Sequence, residues 1–287
     1  MSAGAGAVWI STLMTAEYCG CMRAIQVAQH GGPEVLVPAE LPDPEPGPGD
    51  LLVRTDAIGV NFIDTYFRTG LYGTELPHVP GSEGTGTVVA VGSDVDDVTV
   101  GQRVAWCAAP GSYAELVRVP ATVAVPVPDA VPVEQAAAVL LQGMTAHYLI
   151  ESTYPAQPGD TVLVHAGAGG VGLLLTQLAI AKGVRVITTV STDEKETLSR
   201  EAGAAEVLRY DDDLAEQVRA LTGGDGVAAV YDGVGASTFE RRWHRCASGA
   251  PSRCSGPRAV RCPRSICSVS TRPGHCSSPV PHWRTTR

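Results

Sequence analysis

The chain has 287 residues, 44% of them hydrophobic, and its 21 basic and 30 acidic side chains give a formal net charge of −9. That length holds one large domain or two modest ones with a sizeable core. The acidic balance argues against nucleic acid as the main partner, and no apolar run is long enough to span a membrane. The first 21 residues, "MSAGAGAVWISTLMTAEYCGC", lack the basic start of a secretion signal. They read as a leader outside the folded body, because "MRAIQVAQHGGPEVL" from Met22 looks like a fresh start followed by a strand. Only Cys19, Cys21 and Cys107 precede residue 241, so no disulfide framework is expected and a reducing, cytoplasmic setting follows.

Residues 22–130 carry recurring β-type runs: "LLVRTDAIGV", "GTGTVVAVGSDV", "QRVAWCAA" and "SYAELVRVP". Gly and Pro punctuate them, which predicts a compact, partly closed β domain. "PVEQAAAVLLQGMTAHYLI" (Pro132–Ile150) then reads as helix leading into a second half.

That half opens on "GDTVLVHAGAGGVGLLLTQLAIAKGVRVITTVSTDEK". Thr161–Ala166 is a strand-like apolar run, Val171–Ala181 has helical spacing, and Val184–Val190 is a second strand. Between the first two, Gly167, Gly169 and Gly172 fit G-x-G-x-x-G in the strand–turn–helix context that a dinucleotide site requires. Glycines permit the tight turn and let the backbone approach a pyrophosphate at the helix N-terminus. A glycine-rich turn of another α/β domain is the plainer alternative.

The end of the second strand bears on NAD against NADP. An NAD site usually places an acid there for the ribose hydroxyls. Here stand Ser191 and Thr192, followed by Lys195, and hydroxyls with an ammonium suit a 2′-phosphate. Asp193 or Glu194 could instead face the ribose, and Lys195 could be a solvated lysine at a helix start. Two more strands follow, "AAEVLRY" ending at Tyr210 and a run within Val227–Gly235. The helix "DDLAEQVRALTGG" lies between them, with acids at its start and glycine at its end. Four strands are readable where a complete doubly wound domain has six.

Four segments in order, "AIGVNFIDTYFRTGLY", "PHVPGSEGTGTVVAVGSDV", "AAAVLLQGMTAHYLI" and "VHAGAGGVG", resemble the medium-chain dehydrogenase/reductase superfamily. Within it they are most similar to the zinc-free NADPH:quinone oxidoreductases, the zeta-crystallin-like branch. The likeness runs from about Met22 to Glu240. It implies an α/β chain with a GroES-like, β-rich catalytic domain over 22–145. An incomplete, doubly wound Rossmann domain binding NADPH would occupy 146–240. A homodimer is implied for an intact relative.

The zinc alcohol dehydrogenases of this superfamily place a Cys and a His where this chain has Asn61 and Ser82, neither a usual zinc ligand. A structural zinc lobe would need four closely spaced cysteines, and only Cys107 lies nearby. No metal is therefore expected, and His78, His147 and His165 read as structural, His165 at a strand end and His147 on an apolar helix face. The resemblance implies that Asn61 and Tyr66 line the nicotinamide and acceptor. It places Thr145 and Tyr148 near nicotinamide or phosphates, and Gly170, Val171, Lys195 and Tyr210 at cofactor-contact positions.

After about Glu240 the composition breaks. Residues 241–287 hold ten Arg, five of the eight Cys and no acidic residue, whereas the first 240 carry 11 basic against 30 acidic side chains, a formal charge of −19. Such richness in Arg, Cys, Ser and Pro is what an off-frame reading of a G/C-rich gene gives, and back-translation begun two bases later yields text like the family's continuation. A frameshifted, disordered tail is the expectation. A basic binding tail, or a zinc site from Cys246, Cys254, Cys262, Cys267, Cys276 and His275, is the rival; the absence of any C-x-x-C pair weighs against zinc. With only Trp243, Ile266 and Trp283 as large apolar groups, the tail is expected to leave the fourth Rossmann strand at an exposed edge.

The reading that follows is an NADPH-dependent oxidoreductase that passes hydride to a quinone without zinc, impaired in this chain. The alternatives are a reductase of activated C=C bonds (an enoyl or enone acceptor) and a non-enzymatic, truncated nucleotide-binding product.

Overall fold

Leu51 and Val53 are fully buried while Leu52 and Arg54 turn away from the core, and this alternation makes Asp50–Gly59 a strand, β3. The same logic orders the rest of the first unit, in a computed structural model that describes residues 20–210, 213–235, 238 and, by backbone alone, 268–271. The chain divides into two compact units between Leu141 and Gln142. Nearly all of the leader and the greater part of the tail, with Trp243, Ile266, Trp283 and the Cys/His group, lie outside the described residues.

In the first unit β1 (Cys21–Gln26) pairs antiparallel with β2 (Val37–Pro42). A five-stranded antiparallel sheet follows in the order β6-β3-β4-β5-β7, with β4 Glu83–Val91, β5 Arg103–Cys107, β6 Leu116–Pro120 and β7 Ala124–Pro126. Its core gathers Leu51, Val53, Val88, Val104, Trp106, Val117 and Val119. Trp106 satisfies its buried indole by donating to Ser112 Oγ at 2.9 Å. After β3 comes the short helix α1 (Phe62–Arg68). A register shift between Thr55 and Ala57 bends β3 just before that helix, as bulges do where a strand must re-aim its end.

The segment read as one helix over Pro132–Ile150 is two. Helix α2 (Val133–Ala138) stops at Val139, and α3 (Leu140–Tyr148) starts at the next residue and runs into a π-turn, Leu149–Thr153. Uniform helix-forming composition hid the break, because no Gly or Pro marks it.

In the second unit four parallel strands stand in the order β10-β9-β8-β11: β8 Thr161–Val164, β9 Arg185–Val190, β10 Glu206–Arg209 and β11 Ala229–Asp232. Alternate residues serve two cores. Val162, Val164, Val186, Ala229 and Tyr231 pack with α4 (Gly170–Ala181) and the end of α3. Leu163, Ile187 and Val230 pack with Leu214 and Val218 of α6 (Leu214–Leu221). A sheet covered on both faces explains the near-continuous apolar strands. Helix α5 (Asp193–Glu201) follows β9.

The expectation that β11 stands at an exposed edge is corrected. The backbone of Ser268–Thr271, β12, pairs antiparallel with it, Ala229 opposite Thr271 through to Asp232 opposite Ser268. Counting large apolar residues could not anticipate this, because a ladder is made by backbone groups, which "SVST" supplies as well as any sequence.

Candidate active site

The glycine turn of the second unit is built by steric exclusion. Gly169 is the N-cap of α4, which begins at Gly170. A Cβ on Gly172 would fall 2.4 Å from the Ala166 carbonyl, and one on Gly167 2.4 Å from Thr188 Cβ, so both positions are closed to side chains. A Cβ on Gly169 would meet the Ala166 carbonyl at 3.2 Å, a tight contact but the least crowded of the turn's glycine positions. Ala166 holds a left-handed conformation (φ 52°), unusual for a residue with a Cβ. It is pinned by its N–H donating to Tyr210 Oη at 2.7 Å, while Gly167 N–H donates to the Thr189 carbonyl at 3.0 Å. Tyr210 also stacks on His165, which is buried and shares a 2.8 Å hydrogen bond with Thr189 Oγ1. Tyr210 thus braces the turn, and His165 is a satisfied core residue.

At the neighbouring strand ends, Thr192 caps α5 by accepting from the Lys195 N–H. Lys195 Nζ donates to Ser191 Oγ at 3.0 Å, so the two predicted groups are together and exposed. Arg209, absent from the sequence reading, organises the surroundings. It donates to the Thr192 carbonyl at 2.8 Å, to Asp193 at 2.5 Å and to Glu196 at 2.7 Å. Asp193 is therefore engaged by a guanidinium, and Glu194 is held below its usual carboxylate value first by a hydrogen bond with the Thr192 side chain. Of the groups at this corner, Lys195 and Ser191 are the cationic and hydroxyl pair that fits a phosphate.

Gln142 joins α3 to the turn. A Cβ on Gly170 would overlap its Oε1, so the amide lies directly against the Gly170 backbone. Thr145, one turn on, is half-buried, and Tyr148, a further turn on, is 38% exposed. The three share a helix face at i, i+3 and i+6. Val171 is half-buried in the first turn of α4. His147 is exposed, which corrects its placing on an apolar face: α3 buries Ala146 and, beyond its end, Leu149 and Ile150 instead.

In the first unit Asn61 is the N-cap of α1 and is buried. Its backbone N–H donates to Asp64 Oδ2 at 2.9 Å, and its side-chain Nδ2 donates to Glu83 Oε2 at 2.6 Å. Glu83 is fully buried and accepts from the Leu141 N–H at 2.7 Å through its other oxygen. Asp64 accepts from the Tyr113 hydroxyl at 2.8 Å. Burial pushes both carboxyls above their ordinary values, opposed in each case by these hydrogen bonds. It also pushes the Cys107 thiol up to about 11, with the Glu83 charge adding to the effect, so this cysteine is a poor nucleophile. Tyr66 is half-buried, its ring 5.4 Å from those of Phe62 and Tyr72. On either side of buried Asn61, Val60 and Phe62 are 71% and 76% exposed.

The charge at position 83 was the one signal for this network in the sequence. Glu83 is the one charge of its strand and is buried, and such a charge must find partners. Ser82 precedes it and is half-buried. His78 lends its backbone to Val27, and its ring nitrogens are buried without a partner among the described residues. Among those residues no group of three or more His, Cys, Asp or Glu is gathered to hold a metal, and no helix is long and apolar enough to cross a membrane.

Two family models match the chain: the alcohol dehydrogenase GroES-like domain over residues 47–129, and the zinc-binding dehydrogenase model over 170–250. A quinone oxidoreductase of Pseudomonas aeruginosa is 48% identical over 76% of this chain and 68% of its own length. A 2-haloacrylate reductase of a Burkholderia species is 42% identical over 77% and 68%. A mycobacterial protein solved in complex with NADPH superposes with a TM-score of 0.74 and 58% identity, over 76% of this chain and 69% of that one. The chain spans about two thirds of the length of these relatives. With a GroES-like sheet, a Rossmann sheet and identities of this order, the chain belongs to the quinone oxidoreductases of the medium-chain dehydrogenase/reductase superfamily.

Proposed function

We propose that the chain is an NADPH-dependent oxidoreductase that reduces quinones without a metal. The observation that carries this reading is the Lys195–Ser191 pair at the end of β9, beside a glycine turn that excludes side chains at Gly167 and Gly172. The residues fit a phosphorylated dinucleotide. Gly167–Gly172 and the start of α4 would take the pyrophosphate, Lys195 and Ser191 the 2′-phosphate, and Thr145, Tyr148, Val171 and Tyr210 would flank it. When bound, such a cofactor supplies a hydride. The chain's own part is electrostatic. The Asn61 amide and the Tyr66 hydroxyl donate to the acceptor oxygen as negative charge develops there. Val60 and Phe62 offer apolar surface for a ring. Asn61 and Ser82 stand where zinc-bearing relatives place ligands, which supports a metal-free reaction. By lineage the molecule works in the cytoplasm, and an intact relative as a homodimer. The composition break at about Glu240 favours a lowered rate in this chain.

Turnover of a simple quinone with NADPH and with NADH tests the proposal. Faster reduction with NADPH is expected, and equal rates would remove the role given to Lys195.

A second reading is supported by the 2-haloacrylate reductase relative: reduction of an activated C=C bond on the same scaffold. Comparing kcat/KM for quinones with that for enones and haloacrylates separates the two.

A further inference from the structure

A fully buried carboxylate is costly unless donors satisfy it. Glu83 meets donors on both oxygens: Asn61 Nδ2 at 2.6 Å on one and the Leu141 N–H at 2.7 Å on the other, with the Leu140 N–H contributing as well. The residue is held tightly from other sides too. A Cβ on Gly59 would lie 2.3 Å from Glu83 Oε2, and Glu83 pairs in register with Gly59 and Cys107 on the neighbouring strands. An amide side chain has two nearly isosteric orientations that exchange its donor and its acceptor. Glu83, having no hydrogen to give when ionised, accepts only the orientation in which Nδ2 faces it. Asp64 holds Asn61 from the other side in a capping box: its carboxylate, itself held by Tyr113, accepts from the Asn61 N–H, and its own N–H donates to the Asn61 side chain.

We infer that Glu83 is a positioning residue, which holds Nδ2 of the Asn61 amide through one hydrogen and so leaves its other hydrogen to donate to the acceptor. The inference rests on the proposed role of Asn61 in quinone reduction. It also gives a reason for a fully buried charge in this strand: a neutral acceptor such as Gln carries a donor of its own and does not enforce one orientation. Glu83 touches no reacting atom in this scheme. It acts through Asn61 alone, while its second oxygen anchors the start of α3.

The test is Glu83→Gln, which keeps size and shape. The new carbonyl can serve either Asn61 or the backbone N–H groups at the start of α3, not both. If it stays with Leu141, its NH2 faces Asn61 Nδ2 and the Asn61 amide turns over. Two readouts are taken on the full chain: the Asn61 side-chain amide NMR signal, assigned by its disappearance in Asn61→Asp, and quinone turnover. The expected result is a displaced Asn61 signal, with kcat about tenfold or more lower and the NADPH Kd within about twofold of the parent. An unmoved signal would overturn the inference, and so would a displaced signal with unchanged kcat. If the parent chain shows no turnover, the quinone-reductase reading fails, while the NMR signal still decides whether Glu83 orients Asn61. Should Glu83→Gln unfold the unit, the pair Glu83→Gln with Asn61→Asp swaps donor and acceptor across the contact. Regained cooperative melting without regained turnover supports the inference. Full turnover, or melting no better than in the single variant, overturns it.

Discussion

The glycine turn of the second unit and the Asn61–Glu83 network of the first place polar groups by opposite means. The turn uses what is missing. Side chains are excluded at Gly167 and Gly172, and the backbone itself becomes the binding surface. The network uses what is buried. Two carboxylates, taken from water at a cost, grip a single amide and its backbone. A site made by absence tolerates no added atom, whereas a site made by buried charge tolerates changes of shape better than changes of protonation.

The largest effect is therefore expected at the turn. Gly172→Val drives a side chain into the Ala166 carbonyl, and overpacking of this kind costs about 1–3 kcal/mol of stability. Nucleotide binding, followed by fluorescence titration, should be lost beyond measurement. Retained binding would mean that the turn is not the pyrophosphate site. The next effect is smaller and selective. Lys195→Ala removes a charge-assisted contact of about 1.5–3 kcal/mol, or roughly tenfold or more in NADPH affinity. NADH binding should barely change, and equal losses for both nucleotides would sink the specificity argument.

On the network's side the handle is pH. Glu83 and Asp64 both have raised values in the folded state. The native chain then keeps protons that the unfolded chain has released. Stability from these two groups is fullest below the ordinary carboxylate range and declines as pH rises from about 4 through the raised values. Glu83→Gln removes one of the two titrations, so Tm plotted against pH should fall less steeply in that window. An unchanged slope would show that Glu83 does not titrate there. The smallest effect expected is none: a strong chelator should leave NADPH–quinone turnover unaltered, and loss restored by added zinc would contradict the metal-free reading.

The two regions were not equally legible. The turn announces itself because glycine spacing, flanking strands and a following helix all lie within one short stretch, Thr161–Val190. The four parallel strands were readable in the same stretch and its two successors. Asn61 meets Glu83 across 22 residues and Leu141 meets Glu83 across 58, and such separations leave no local pattern. Arg209 was passed over for a related reason. Its partners Thr192, Asp193 and Glu196 lie on the next strand's helix, so its role appears only when β10 pairs with β9. The break after Val139 escaped because α2 and α3 share one composition. The pairing of β12 escaped because backbone ladders need no signature of size or hydrophobicity.

NADPH oxidation by a simple quinone, followed in this chain and in a version read in the alternative frame from near residue 240, tests the oxidoreductase assignment most directly. Quinone-dependent oxidation that prefers NADPH to NADH is expected, faster in the version read in the alternative frame than in the chain as it stands. No NADPH oxidation in either protein would contradict the oxidoreductase assignment.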